Sequence, residues 1–131
     1  MFLDTHGLFC ILHHVERHHA QAVAHYLSAA SVRFTHSLVI AELVALCQAR
    51  GVSRLELLSY IQDLLLNPDV ETVWVDKQLQ LDALNLLHSR FDKTYSLCDA
   101  VSFVLMRRRG INEALTNDRH FEQEGFMRLL V

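Results

Sequence analysis

The sequence predicts an α/β fold built on an open parallel sheet, and three observations lead there. Short apolar or β-branched segments alternate with longer stretches of helical periodicity. The connections between them are short, which suits right-handed crossovers between neighbouring strands. The composition is 51% hydrophobic, with 1 proline and 4 glycines in 131 residues, which is that of a compact helix-rich globule and not of a disordered chain. That length suits one domain, expected to span residues 1–131.

Residues 1–5 (MFLDT) form a short apolar run that ends in an acid and a hydroxyl, as a buried strand entering a loop would. Residues 7–14 and 17–30 carry helical periodicity, with Ala22, Val23, Tyr26 and Leu27 on one face. Val32 to Thr35 reads as the second strand. Ser37 then supplies an N-cap type residue before the apolar run Leu38 to Ala49, which Gly51 ends. Ser53 and Glu56 have the spacing of a capping box, and Leu57, Leu58, Ile61, Leu64 and Leu65 stripe the helix that follows until Asn67-Pro68.

Glu71 to Val75 alternates as a third strand, and Lys77 to Phe91 returns to helical spacing through Leu79, Ala83, Leu86 and Leu87. Ser96 caps a helix over Leu97 to Arg109, which Gly110 closes. Glu113 to Thr116 and Phe126 to Leu130 read as the last two strands, separated by a polar loop.

Several functional classes are disfavoured. The longest apolar runs, on either side of Glu42, fall far short of the roughly 20 residues that cross a bilayer, so no membrane span is expected. The first residues lack the basic and apolar regions of a signal peptide, which makes the cytoplasm the expected location. Cys10, Cys47 and Cys98 lie in apolar stretches without C-x-x-C spacing and are expected to be free buried thiols. A net charge of −3 argues against binding nucleic acid through a broad basic field. It leaves room for a nuclease whose carboxylates hold cations.

Four carboxylates stand out. Asp4 and Asp118 follow the ends of the first and fourth strands, where a parallel sheet collects its ligands. Each also admits the plainer reading of an N-cap or Asx turn. Glu42 is the sole charge in LVIAELVALCQA, shares its face with Leu38, Ala45, Leu46 and Ala49, and is expected to point inward. A buried ionised carboxylate costs several kcal/mol unless a cation or metal meets it. Asp99 sits in SLCDAVSFVLM, where a place in the first helical turn is a sufficient structural reason for an acid. If the four converge, they make an oxygen-only cluster suited to Mg²⁺ or Mn²⁺ and to phosphate-ester chemistry.

With these residues in place, the chain resembles the PIN-domain nucleases, especially the VapC-like toxins of bacterial toxin–antitoxin pairs. The matching segments are FLDTHGLF with Asp4, VIAELVAL with Glu42, YSLCDAVSFVLM with Asp99 and ALTNDRHFEQEGF with Asp118, in the family's order. The resemblance implies a three-layer sandwich around a parallel sheet of order 3-2-1-4-5, and endonucleolytic cleavage of RNA with Mg²⁺ or Mn²⁺. It implies that Asp4 is the central metal ligand with Asp99 beside it, and that Glu42 and Asp118 bind directly or through water. Thr5 and Thr116 match hydroxyl positions that help to arrange the acids. A cognate antitoxin and a homodimer are the implied partners.

His6 departs from the family, which more often has a small residue there, and its bulk is expected to affect substrate access. Arg119 and Lys93 are candidate phosphate contacts. The run Arg107-Arg108-Arg109 is read first as a helix terminus complementing the dipole, with RNA contact second. His13, His14, His18 and His19 form two pairs across a helix break and do not present one face to a zinc ion. Two other functions compete with the nuclease. A phosphatase using Asp4 as nucleophile would need a D-x-D pattern, but His6 stands at its third position. A non-catalytic RNA- or protein-binding module fits the negative charge, yet has no need of all four acids.

Overall fold

The computed structural model describes all 131 residues. Its strands are β1 (Phe2–Leu3), β2 (Arg33–His36), β3 (Val70–Val73), β4 (Glu113–Leu115) and β5 (Met127–Arg128). The helices are α1 (Thr5–Leu12), α2 (His19–Ser28), α3 (Ser37–Ala49), α4 (Arg54–Leu66), α5 (Lys77–His88), α6 (Leu97–Arg109) and α7 (Arg119–Gln123). The strands form one sheet in the order β3-β2-β1-β4-β5, with every pairing parallel. This is the implied order, and it places the reversal of strand order between β1 and β4.

The well-capped helices match their expected limits. Ser96 accepts from the Asp99 amide at 3.0 Å to start α6, and Gly110 ends it in the left-handed region at φ 62°. At α4 the Ser53 hydroxyl accepts from the Glu56 amide. Several boundaries shift by a few residues, and three departures bear on the site. α1 begins at Thr5, directly after Asp4, and not at Gly7. His36, not Ser37, caps α3: its Nδ1 accepts from the Val39 amide, while Ser37 accepts from the Val75 amide at 3.0 Å. The segment expected to be a polar loop before β5 contains α7, whose N-cap is Asp118.

The core joins the sheet to the helices through aromatic rings. Phe2 on β1 packs against Phe34 on β2 and Phe121 on α7, with centroids 5.3 and 6.0 Å apart. Phe103 on α6 meets Phe121 and Tyr95 edge-on, each at 5.0 Å. α1 lies against α2, α3 and β4, while α5 pairs with α6. Gly7 permits the contact with β4, because a Cβ there would fall 2.0 Å from the carbonyl oxygen of Leu115. All three cysteines are free and buried. No helix is long and apolar enough to cross a membrane.

Candidate functional site

Register explains how the first acid finds its partner. Leu3 on β1 pairs with Leu115 on β4, so the next residues, Asp4 and Thr116, emerge side by side at the carboxyl edge of the sheet. The Thr116 hydroxyl donates to Asp4 Oδ2 at 2.7 Å and accepts from the Asp118 amide at 3.0 Å. Thr116 therefore fixes Asp4 and also the turn that carries Asp118. Asp4 sits at the N-cap position of α1 but makes no side-chain cap hydrogen bond. Its plainer structural reading is not realised. That of Asp118 is, because its Oδ1 accepts from the His120 amide at 2.9 Å.

α6 delivers Asp99. Its Oδ2 accepts from the Ser96 amide at 3.1 Å, completing a reciprocal capping box, and lies 3.0 Å from His120 Nδ1. The same imidazole nitrogen is 3.6 Å from Asp118 Oδ1. Asp99, Asp118 and His120 thus form a cluster whose ligand atoms lie within 4.8 Å of one another. His120 was missed because α7 was missed. Its signal in the sequence is its place two residues after Asp118, meaningful only once a helix begins at Arg119.

Glu42 corrects an expectation. The buried face of α3 is Val39, Leu43 and Cys47, and Glu42 lies exposed at the border of that face. It nevertheless lines an open cleft of about 560 Å³ together with Asp4, Thr5, His6, Asn117, Asp118, Arg119 and His120. The helix is apolar on both faces, so tertiary packing and not periodicity decided which face turned inward. Among the possible phosphate contacts, Arg119 lines this cleft and is exposed. Lys93 lies in a separate depression beside Leu84, His88 and Tyr95, with Asp92 3.4 Å away. Arg107, Arg108 and Arg109 are ion-paired with Glu124, Asp82 and Glu71.

The electrostatics of the cleft floor are those of acids gathered without cations. Burial pushes the Asp4 carboxyl up to about 7, with Asp99 and Glu42 adding to the rise, although hydrogen bonds from Thr116 and Thr5 oppose it. The Cys98 thiol beside Glu42 is also pushed up, chiefly by burial. None of the four acids is ion-paired to a lysine or arginine; His120 is the basic side chain that meets Asp99 and Asp118. The buried Thr5 hydroxyl has no hydrogen-bond partner. An oxygen-rich donor set, a buried carboxyl that resists ionisation and an unpartnered hydroxyl together fit a hard divalent cation.

The comparisons with known proteins agree with this geometry. Residues 1–126 match the model of the PIN domain family. No curated protein matches the chain. The structure is similar to that of VapC20 of Mycobacterium tuberculosis, described as a sarcin–ricin loop cleaving toxin. The two share 26% sequence identity with a TM-score of 0.86, over 96% of this chain and 95% of that one. The family match spans strands β1 to β4 and every acid of the cleft, and the chain belongs to the PIN domain family.

Proposed function

We propose that this protein is an endoribonuclease that uses Mg²⁺ or Mn²⁺, acting as the toxin of a toxin–antitoxin pair. The observation that carries the reading is Asp4: a buried carboxyl at the floor of an acidic cleft, fixed by Thr116 and met by no lysine or arginine. Asp4 and Asp99 would be the inner ligands, with Asp118 and Glu42 completing the set directly or through water. When bound, the cation supplies Lewis-acid polarisation of the scissile phosphate and lowers the pKa of a water.

The chain's own residues do the positioning. Thr116 holds Oδ2 of Asp4, which leaves Oδ1 without a side-chain partner. Ser96 and His120 hold Oδ2 of Asp99 in the same way. Thr5 offers an unpartnered hydroxyl at the floor. Arg119, exposed at the rim, is placed to meet a phosphate of the RNA. His6 narrows the wall next to Asp4 and restricts which RNA shape can enter. The similar VapC20 is described as acting on the sarcin–ricin loop, which makes an RNA hairpin bearing that loop the first substrate to test. The same reading carries a cognate antitoxin as partner and a homodimer as the assembly.

Purified protein free of any antitoxin should cut such an RNA with Mn²⁺ or Mg²⁺ and stop in chelator. Asp4→Asn and Asp99→Asn should each slow cleavage by roughly 100-fold or more at unchanged fold. Cleavage by both variants at the parent rate would show that the site is not the one assigned.

A further inference from the structure

A second cluster of ligand-type side chains lies on the other side of His6. Within α1 the four-residue spacing brings His6 Nε2 to 3.3 Å from Cys10 Sγ. After α1 ends at Leu12 the chain turns back, and His18 stands at the N-cap position of α2 without a side-chain cap hydrogen bond. Its ring meets that of His6 edge-on, with centroids 6.0 Å apart. The ligand atoms of His6, Cys10 and His18 all lie within 4.8 Å of one another. The corner is held in place independently, because His19 Nδ1 is 2.7 Å from the carbonyl oxygen of Cys10.

We infer that His6, Cys10 and His18 form a binding site for zinc or another late first-row divalent cation, separate from the acidic cleft. Two imidazoles and a thiolate are borderline-soft donors that select such ions over Mg²⁺. A tetrahedral zinc ion with ordinary bond lengths holds a sulfur and a nitrogen about 3.5 Å apart, close to the 3.3 Å spacing here. Three protein ligands leave a fourth position for water. Glu16 acts electrostatically on both His6 and Cys10, so a compensating negative charge is already near. As the ion binds, the Cys10 thiol gives up its proton to solvent and the metal–sulfur bond forms, with no change of oxidation state.

The site has a consequence for the cleft, because His6 lines it. An ion that holds this imidazole fixes one wall of the acidic site and ties the start of α2 to α1. The four histidines that form two pairs in the sequence do not ligate as pairs; His18 alone among them joins His6 and Cys10.

Cobalt(II) is the probe, added to metal-free protein in excess Mg²⁺ and followed by absorption spectroscopy, a readout independent of nuclease activity. The parent should show a thiolate-to-cobalt charge-transfer band in the near ultraviolet with tetrahedral d–d bands, saturating at one equivalent and bleached by Zn²⁺. Cys10→Ser should abolish the charge-transfer band. His18→Gln, at a partly exposed position, should weaken cobalt binding at least roughly tenfold. Absence of the band in the parent overturns the inference. So does a band that survives Cys10→Ser, which would place the thiolate at Cys98 beside the acids. If Cys10→Ser does not fold, His18→Gln decides, and parent-like affinity overturns the inference.

Discussion

Asp4 follows β1 and His36 ends β2, on neighbouring strands, and burial acts on both by disfavouring the charged form. The directions are opposite. The Asp4 carboxyl rises from an ordinary 3.8 to about 7. The His36 ring falls from 6.5 to about 4, kept neutral between the Ser102 hydroxyl at 2.9 Å and the Val39 amide. Between pH 3.8 and 7 the folded chain keeps the Asp4 proton that the unfolded chain has lost, so this group lowers stability as pH rises. Between pH 6.5 and 4 the unfolded chain binds a proton that folded His36 refuses, so this group lowers stability as pH falls. The two contributions offset each other across the shared window, and substitutions should separate them. In urea unfolding with chelator, the stability of Asp4→Asn relative to the parent should improve by up to about 4 kcal/mol from pH 4 to 7. That of His36→Gln should improve by up to about 3 kcal/mol in the other direction, from pH 6.5 down to 4. Difference profiles that stay flat would show that neither group titrates as its burial requires. On the proposed function a divalent cation would displace the Asp4 proton, so Mn²⁺ affinity should tighten as pH approaches 7.

At the level of elements, α1 carries Asp4 at its start and is seated by Gly7 against the Leu115 carbonyl of β4. The 2.0 Å approach that a Cβ would make there is to backbone, which has little freedom to yield. Gly7→Ala should therefore cost about 3 kcal/mol or more in urea unfolding and weaken Mn²⁺ binding, because α1 and Asp4 move away from Thr116 together. Full stability in that variant would mean that α1 is not seated on β4. Elements were legible in the sequence to the extent that local signals defined them. Ser96 and Gly110 bound α6, and Ser53 and Asn67 bound α4, because a cap acts on its own helix. The strands are 2 to 4 residues long, and pairing with a neighbour, not their own pattern, sets where they stop. α7 has 5 residues and rests on the Asp118 cap and the burial of Phe121, so no periodicity could announce it. The pattern of α3 predicts a buried Glu42 because the helix is apolar all round. Each acid could be located singly, but their convergence, and the arrival of His120, depend on the pairing of β1 with β4.

Across the whole molecule, half of the 12 lysines and arginines are ion-paired to acids of the same chain, among them all three at the end of α6. Arg90 and Arg107 both hold Glu124, whose carboxylate is buried, and the Tyr95 hydroxyl also donates to it at 3.0 Å. Arg108, Arg109 and Arg128 hold Asp82, Glu71 and Glu122. Arg119 is left at the rim of the cleft as the cation placed for a phosphate. On the proposed function, a net charge of −3 leaves the attraction of RNA to a bound divalent ion and this arginine more than to a broad basic surface. Binding of single-stranded RNA by the slow Asp99→Asn variant at fixed Mg²⁺ should thus depend weakly on monovalent salt. One or two phosphate contacts correspond to a log–log slope of about −1, and Arg119→Ala should reduce it further. A slope steeper than about −3 would require several more cations on the RNA. To supply them, the arginines at the end of α6 would have to leave Glu124, Asp82 and Glu71. Releasing Arg107 would withdraw one of the two guanidinium partners of buried Glu124, so tight RNA binding by that route would carry a loss of stability visible in the same titration.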